Sequence, residues 1–192
     1  MSKHLGSRLK KLRSMGLPLP RFRNKGNNPP GQHGAKKKKK SPYGLQLQEK
    51  QKVCDYGWRD KQLRNEYVKA KSKEGNVGIN LLIMSELRLD NTIFRSGLAN
   101  TLYFARQLVN HKHFLVDGKS VNIPSFKIEP GQVISLKKEK MKQNKLIKNN
   151  LEQNINFPPY LAFDKEKLTI TFLHYPAAEE LSKDINTSLV VE

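Results

Sequence analysis

The chain has little of what marks a secreted or membrane protein, and it is also short of acids. Its single cysteine, Cys54, excludes a disulfide framework and suits a reducing compartment. No run approaches the roughly 20 apolar residues of a membrane helix, and the basic N-terminus has no apolar stretch of the kind a signal peptide needs. The 17 Asp and Glu stand against 36 Lys and Arg, which gives a net charge of +19. Such a balance predicts a nucleic-acid partner.

The sequence also lacks the motifs of common enzymes, with no P-loop, no nucleophile elbow and no HExxH. Asp90 is the one carboxylate that invites comparison with a catalytic acid, but Arg88 and Asn91 beside it favour a structural hydrogen bond. His111 and His113 are two residues apart without a third ligand nearby, which is weak spacing for a metal site. We therefore predict that the chain is not an enzyme and has neither a metal nor a cofactor.

Two short amphipathic helices joined by a tight turn are predicted between residues 88 and 111. The first places Leu89 and Ile93 on its apolar side and leaves a polar stripe of Arg88, Asn91 and Arg95. The second, wound at about 100° per residue, separates an apolar side from a polar side made of Tyr103, Arg106, Gln107, Asn110 and His111. Between them, Gly97 suits the end of the first helix and Asn100 suits the N-cap of the second.

After the helices, the spacing of the apolar residues changes from a helical to an alternating pattern, which predicts short strands. Residues 114–116 and 119–123 flank Asp117-Gly118, a pair typical of the type I′ turn of a hairpin. After an interruption at Pro124, residues 126–128 alternate, 129–132 suit a type II turn, and 133–136 close the sheet. The predicted fold class is α+β, with two short helices packed on a small, mostly antiparallel sheet of three or four strands.

The polar side of this region suits the backbone of RNA. Arg and Lys neutralise phosphates, and Asn, Gln and His bond to phosphate or 2′-hydroxyl oxygens. A polar outer face is common in any small domain, but the strongly basic composition favours an RNA site. The candidate RNA contacts here are Arg88, Arg95, Arg106, Gln107, Asn110, His111, Lys112, His113, Lys119, Asn122 and Ser125.

Three segments resemble the RNA-binding module of the ribosomal protein S4 family, the fourth protein of the small ribosomal subunit: RLDNTIFRSGLA, ARQLVNHKHFLVDGKSVNIPSF and EPGQVISL. PPGQHGAKKKKKSPYGLQLQEKQKV is similar to that family's arm and first long helix, and DINTSLVVE to its C-terminus. The resemblance implies an extended basic arm at 1–43 and a helical subdomain at 44–86 that 178–192 completes. It also implies that the module, 87–150, is inserted into this subdomain and is followed by a linker and strand pair at 151–177.

Residues 1–43 are predicted to be an arm that becomes ordered on RNA, because Pro18, Pro20, Pro29 and Pro30 prevent a continuous helix. Its loop, residues 30–34, has two glycines that allow a partner to approach the backbone. His33 in that loop reads as a solvated histidine on its own, whereas the resemblance implies contact with rRNA. Candidate contacts in the arm and the following helix are Arg8, Lys10, Lys11, Arg13, Gln32, His33, Lys50 and Lys52.

Five consecutive lysines, 36–40, are by composition alone a solvated charge run or, less favourably, a nuclear-import signal. The resemblance implies instead that they line the messenger-RNA entrance of the ribosome, with Lys36 and Lys39 where bacterial members have arginine. Lysine keeps the charge but lacks the planar fork of arginine. Some bacterial members also carry a zinc-binding cysteine cluster near the N-terminus, which this chain cannot form because no cysteine precedes Cys54.

The resemblance implies a structural constituent of the small ribosomal subunit that binds a multi-helix junction in the 5′ domain of the rRNA and nucleates assembly. It also implies a part in messenger-RNA entrance and translational accuracy, beside the fifth and third small-subunit proteins. The alternatives are a free RNA-binding regulator or ribosome-rescue factor that uses the same module, and an RNA-modifying enzyme, for which the chain has no room. The basic start and the abundance of Lys, Asn and Ile favour a plastid ribosome, with the bacterial cytoplasm as the alternative.

Overall fold

The computed structural model describes residues 7–17, 31–34, 39–137, 147, 157–164, 166–181 and 184–192. They form helices α1 (Arg8–Met15), α2 (Pro42–Cys54), α3 (Asp60–Lys71), α4 (Val77–Glu86), α5 (Leu89–Arg95), α6 (Leu102–Asn110) and α7 (Thr187–Val191), and strands β1 (Phe114–Val116), β2 (Lys119–Ser120), β3 (Val133–Leu136), β4 (Leu161–Asp164) and β5 (Thr169–Phe172). The α+β class is therefore confirmed. No helix among these residues is long and apolar enough to cross a membrane.

The chain divides into two compact units. The first unit comprises the described residues of Met1–Lys69 and of Ser182–Glu192, and the second those of Ala70–Leu181. In this division α4 belongs to the second unit, and the predicted boundary after residue 86 stays a prediction. Most of α4 is apolar, and Leu81, Leu82 and Met84 are buried.

Within the first unit, the arm is not wholly extended. Leu9, Leu12 and Met15 are buried on one side of α1, and Gly16 ends the helix in the left-handed region at φ 70°. Gln48 Nε2 of α2 donates to the Met15 carbonyl at 2.7 Å. An extended arm was expected here, but residues 8–15 form a helix, because three apolar residues spaced three apart lie on one side of it and can be buried together.

The C-terminal segment contacts α2 in the same unit. Lys52 Nζ donates to the Asp184 carbonyl at 2.7 Å, and the Asn186 backbone N–H donates to Glu49 Oε2 at 2.8 Å. Gln46 Nε2 donates to Glu192 Oε2 at 3.0 Å. Residues from the two ends of the chain thus complete one unit, an arrangement that only the family resemblance had suggested.

The second unit contains a five-stranded sheet in the order β2-β1-β3-β5-β4, and every pairing is antiparallel. The β1–β2 turn has positive φ at both Asp117 (48°) and Gly118 (77°), as the type I′ prediction requires. The predicted pair β4 and β5 extends this sheet, because β5 pairs with β3.

Of the strand predicted at 119–123, only residues 119–120 form (β2), and the strand predicted at 126–128 is reduced to one bridge between Arg88 and Lys127. Two carbonyls of this loop instead accept hydrogen bonds from the start of α5. Phe126 accepts from the Leu89 N–H at 2.9 Å and Pro124 from the Asp90 N–H at 3.1 Å, so the loop satisfies donors at the start of α5 that have no partner within the helix.

One apolar core joins the helices of the second unit to its sheet. Leu89, Ile93, Ala105 and Leu108 from the helices pack with strand residues that include Phe114, Ile134, Ile170 and Phe172. Ile147 is helical and fully buried in the same core. The rest of the basic helix predicted after Lys137 lies outside the described residues.

Candidate RNA-binding surface

Helix α6 carries the centre of the candidate surface, and its start fixes which side chains face outward. The Thr101 hydroxyl accepts a hydrogen bond from the Phe104 N–H at 3.2 Å and caps the helix. The prediction of Asn100 as the cap was wrong by one residue. Thr101 has the extended backbone that an N-cap adopts (φ −144°, ψ 149°).

The predicted division of α6 into two faces is confirmed. Leu102, Ala105, Leu108 and Val109 are buried against the core. On the opposite side, Tyr103, Gln107 and His111 are exposed, and Arg106 and Asn110 are partly exposed. The outer face of α6 therefore offers a guanidinium, two amides, a phenol and an imidazole, and has no acid.

The segment after α6 continues this polar surface. The rings of His111 and His113 stack with their centres 6.0 Å apart, while Lys112, between them, is exposed and has a φ of 58°. No acid occurs from residue 91 to residue 116, so the surface carries positive charge without acidic neighbours in sequence. Further candidates that the structure places in exposed positions on β2 and in the loop after it are Lys119, Asn122 and Ser125.

Arg88, one of the predicted RNA contacts, does not reach the surface. It is only 1% exposed, and its Nε and Nη2 donate to Asp90 Oδ1 and Oδ2 at 3.0 and 2.7 Å. Its assignment as an RNA contact was wrong, because a buried carboxylate two residues along the chain satisfies its charge. The structural role predicted for Asp90 is confirmed, and its Oδ1 also accepts from the Asn91 N–H at 3.0 Å.

A second buried acid, Glu86, organises the rest of the predicted polar stripe. It accepts hydrogen bonds from the amide of Asn91 and from Arg95 Nε and Nη2, the latter two at 3.2 and 2.7 Å. The Tyr160 hydroxyl also donates to Glu86, at 3.2 Å. Asn91 is buried as a result, and the Arg95 side chain is 31% exposed. The predicted polar stripe is therefore part of a hydrogen-bond network inside the protein. Of Arg88, Asn91 and Arg95, Arg95 alone is partly exposed to solvent.

The electrostatics at Asp90 combine two opposing influences. Burial raises the pKa of the Asp90 carboxyl, and the guanidiniums of Arg88 and Arg106 oppose that rise. Arg106 Nη1 lies 3.8 Å from Asp90 Oδ2, and its side chain is 22% exposed. Asp90 thus stands between one buried arginine and one that reaches the surface.

In the first unit, several predicted RNA contacts are ion-paired within the protein. Lys11 lies 3.2 Å from Asp55 and Lys52 lies 2.7 Å from Glu49. Lys50 pairs with Asp60, whose pKa it lowers through a hydrogen bond. The structure leaves Lys10, Gln32, His33 and Lys39 exposed and Arg13 partly exposed. The side chain of Arg8 and all of Lys36 lie outside the described residues.

Neither a metal site nor a reactive thiol emerges from the described residues. They contain no group of three His, Cys, Asp or Glu side chains that could hold a metal ion. Burial raises the pKa of the Cys54 thiol, which disfavours the reactive thiolate.

Two family models match successive parts of the chain. Residues 3–86 match the ribosomal protein S4/S9 N-terminal domain, and residues 87–134 match the S4 domain. The chain belongs to the ribosomal protein S4 family. The S4 domain match begins just before α5 and ends within β3, so the sheet of this family member continues beyond the matched residues through β4 and β5.

Members of the S4 family from bacteria resemble the chain over its full length. The small ribosomal subunit protein uS4 of Streptococcus uberis is 46% identical over 198 residues, which cover 100% of this chain and 97% of that protein. The protein of the same name from Streptococcus pyogenes serotype M5 is 44% identical with the same coverage. These relatives are bacterial, and the plastid localisation expected from the sequence stays a prediction.

Proposed function

We propose that this chain is a structural constituent of the small ribosomal subunit and binds folded rRNA through the outer face of its second unit. The observation that carries the proposal is the acid-free stretch between Asp90 and Asp117, whose outward side chains include cations, amides, imidazoles and one phenol. The full-length similarity to proteins named small ribosomal subunit protein uS4 supports the same function.

The chemistry of this face favours recognition of RNA shape over base sequence. Guanidinium and ammonium groups bind phosphates, and amides and imidazoles bond to phosphate or ribose oxygens. These groups come from α6, from the turn after it and from the hairpin that follows: Arg106, Gln107, Asn110, Lys112 and Lys119. A surface of this kind suits a junction of rRNA helices in the 5′ domain, where binding would nucleate subunit assembly.

The lysine run supports a second contact, with messenger RNA at the ribosome entrance and hence with translational accuracy. Adjacent cations repel over the Debye length of about 8 Å, so the run suits solvent or dense negative charge. Lys39 is exposed, and compact ammonium groups suit a strand that must slide. We further propose that the chain contacts the fifth and third small-subunit proteins. Its location would be a plastid or a bacterial ribosome.

Co-sedimentation with ribosomal subunits at high salt tests the proposal. Because high salt removes proteins held only by exposed charges, a structural constituent should remain with small subunits at one copy each. A free RNA-binding regulator or a ribosome-rescue factor would be present below one copy and would wash off as salt rises. Absence of the chain from salt-washed small subunits would contradict the proposal.

The messenger-RNA contact has its own test. Replacing Lys36, Lys37 and Lys39 with Gln should leave assembly intact while slowing translation of messages that have structure just downstream. Cross-linking on translating ribosomes should then detect message at these lysines in the unaltered chain. Cross-links to rRNA alone would contradict this part of the proposal and leave the rRNA-binding function standing.

A further inference from the structure

Arg95 of α5 and Arg106 of α6 are partly exposed, and each lies beside a buried carboxylate. Arg95 bonds to Glu86 and Arg106 faces Asp90, and the side chains of both acids are at most 3% exposed. Acids buried beneath arginines need an explanation, because taking a carboxylate out of water is costly unless it is paired.

The Asp90 carboxylate is held independently of Arg106. Both of its oxygens accept from Arg88, and Oδ1 also accepts from the Asn91 backbone N–H. Arg88 is itself buried, and its bidentate geometry permits little rotation of the carboxylate. The negative charge that Arg106 meets is therefore fixed in place by the core.

The contact between Arg106 and Asp90 is electrostatic and not a close hydrogen bond. The 3.8 Å between Nη1 and Oδ2 exceeds hydrogen-bond range, yet attraction at that distance is strengthened by burial of the carboxylate. Asp90 thus attracts the Arg106 guanidinium without a hydrogen bond between them. Arg95 differs, because its Nε and Nη2 both donate to Glu86 and clamp α5 to α4.

We propose that Asp90, fixed by Arg88, is a positioning residue that holds the Arg106 guanidinium in the orientation in which it contacts an RNA phosphate. This inference rests on the proposed RNA-binding function. A flexible arginine loses side-chain freedom when it binds. An arginine that the protein already holds loses less, so Asp90 strengthens RNA binding without touching RNA.

The first test needs no RNA and no variant. In the free chain, NMR relaxation of the Arg106 Nε–H group should show motion nearly as restricted as that of buried Arg88. Arg64 is the matched reference, because it is a helical arginine whose side chain is 77% exposed beside Asp60. If Arg106 moves as freely as Arg64, Asp90 does not position it and the inference is overturned.

The second test measures binding with a double-mutant cycle on the full-length chain. The combined substitution Arg88→Met and Asp90→Leu removes the buried pair without changing net charge or leaving one partner unpaired. Affinity for a transcript of the 5′ domain of small-subunit rRNA is measured with this change, with Arg106→Ala, and with both. Removing the buried pair alone should weaken binding roughly three- to tenfold, in the lower part of the range for coupled neighbours, with the salt dependence unchanged.

The variant that combines all three substitutions decides whether Asp90 acts through Arg106. When Arg106 is already Ala, removing the buried pair should have no further effect on affinity. An equal loss in both backgrounds would show that the pair only maintains the fold and would overturn the inference. Failure of the unaltered chain to bind the transcript would overturn the proposed function itself, and the NMR result would distinguish the two failures.

Discussion

The ion pairs at Asp60 in the first unit and at Asp90 in the second lie in different surroundings. In the first unit, Lys50–Asp60 and Arg64–Asp60 lie at the surface. In the second, Arg88 and Asp90 are both buried and Glu86 binds Arg95 from within the core. Exposed pairs contribute roughly 0–1 kcal/mol because water and salt screen them, whereas loss of one buried partner costs about 3–5 kcal/mol. Asp60 thus pairs with its cations in water, whereas Asp90 and Glu86 bind arginines as buried carboxylates. The contrast holds for these pairs and not for every pair of the first unit, because Lys52–Glu49 is largely buried.

The substitution Asp90→Asn tests the buried side of the comparison and has the largest expected effect. It leaves the Arg88 charge buried without a counter-charge, so the free energy of unfolding should fall by about 3–5 kcal/mol. Urea unfolding monitored by circular dichroism measures the change. A loss below about 1 kcal/mol, the range of surface pairs, would remove the distinction between the buried pair and the exposed one.

Glu86→Gln tests a buried acid whose partner reaches solvent. Arg95 can hydrate its guanidinium once the charge of Glu86 is gone, so we expect a smaller loss of about 1–3 kcal/mol, the range for hydrogen bonds that involve charged groups. Tyr160→Phe is the matched control, because it removes one donor to Glu86 and retains the ion pair. If Glu86→Gln lowers the free energy of unfolding as much as Asp90→Asn does, the partial exposure of Arg95 does not reduce the loss of stability.

Arg106→Ala separates binding from stability in the second unit. Because Arg106 lies on the outer side of α6, helicity should be retained while affinity for rRNA falls by roughly 1–3 kcal/mol. Filter binding and circular dichroism on the same preparation measure both quantities. A variant that loses helicity yet binds normally would show that the faces of α6 have been assigned wrongly.

Asp60→Asn tests the exposed side and has the smallest expected effect. Lys50 lowers the pKa of Asp60, so any stabilisation by this pair is present above the ordinary carboxyl pKa and is lost as pH falls below it. The variant and the unaltered chain should therefore have nearly the same unfolding midpoint at neutral pH and the same midpoint in acid. A large difference at neutral pH would mean that the exposed pair behaves like a buried one.

Much of the second unit could be predicted because its signals are local. The Asp117-Gly118 turn requires positive φ at two neighbouring residues, and the side chains themselves indicate it. The two faces of α6 follow from helical spacing alone. These features depend on neighbours within a few residues, and the structure has them where the sequence placed them.

Features that depend on distant residues could not be predicted in the same way. The burial of Arg88 depends on the packing around α5, although its hydrogen bonds to Asp90 join neighbouring residues that the sequence already paired. The placement of β5 beside β3 joins residues more than 30 positions apart, which no local pattern encodes. For α1 a signal did exist, in the spacing of Leu9, Leu12 and Met15, and the neighbouring prolines concealed it.

The salt dependence of RNA binding tests the central claim, that the acid-free face of the second unit binds folded rRNA. Affinity for a 5′-domain transcript should fall linearly with the logarithm of salt concentration, and Lys112→Ala or Lys119→Ala should reduce that slope by about 1. Lys167→Ala, in the exposed β4–β5 turn, is the control and should leave the slope unchanged. Affinity for the transcript should also exceed that for a plain RNA duplex. Equal slopes for all three variants, or equal affinity for any duplex, would contradict the claim.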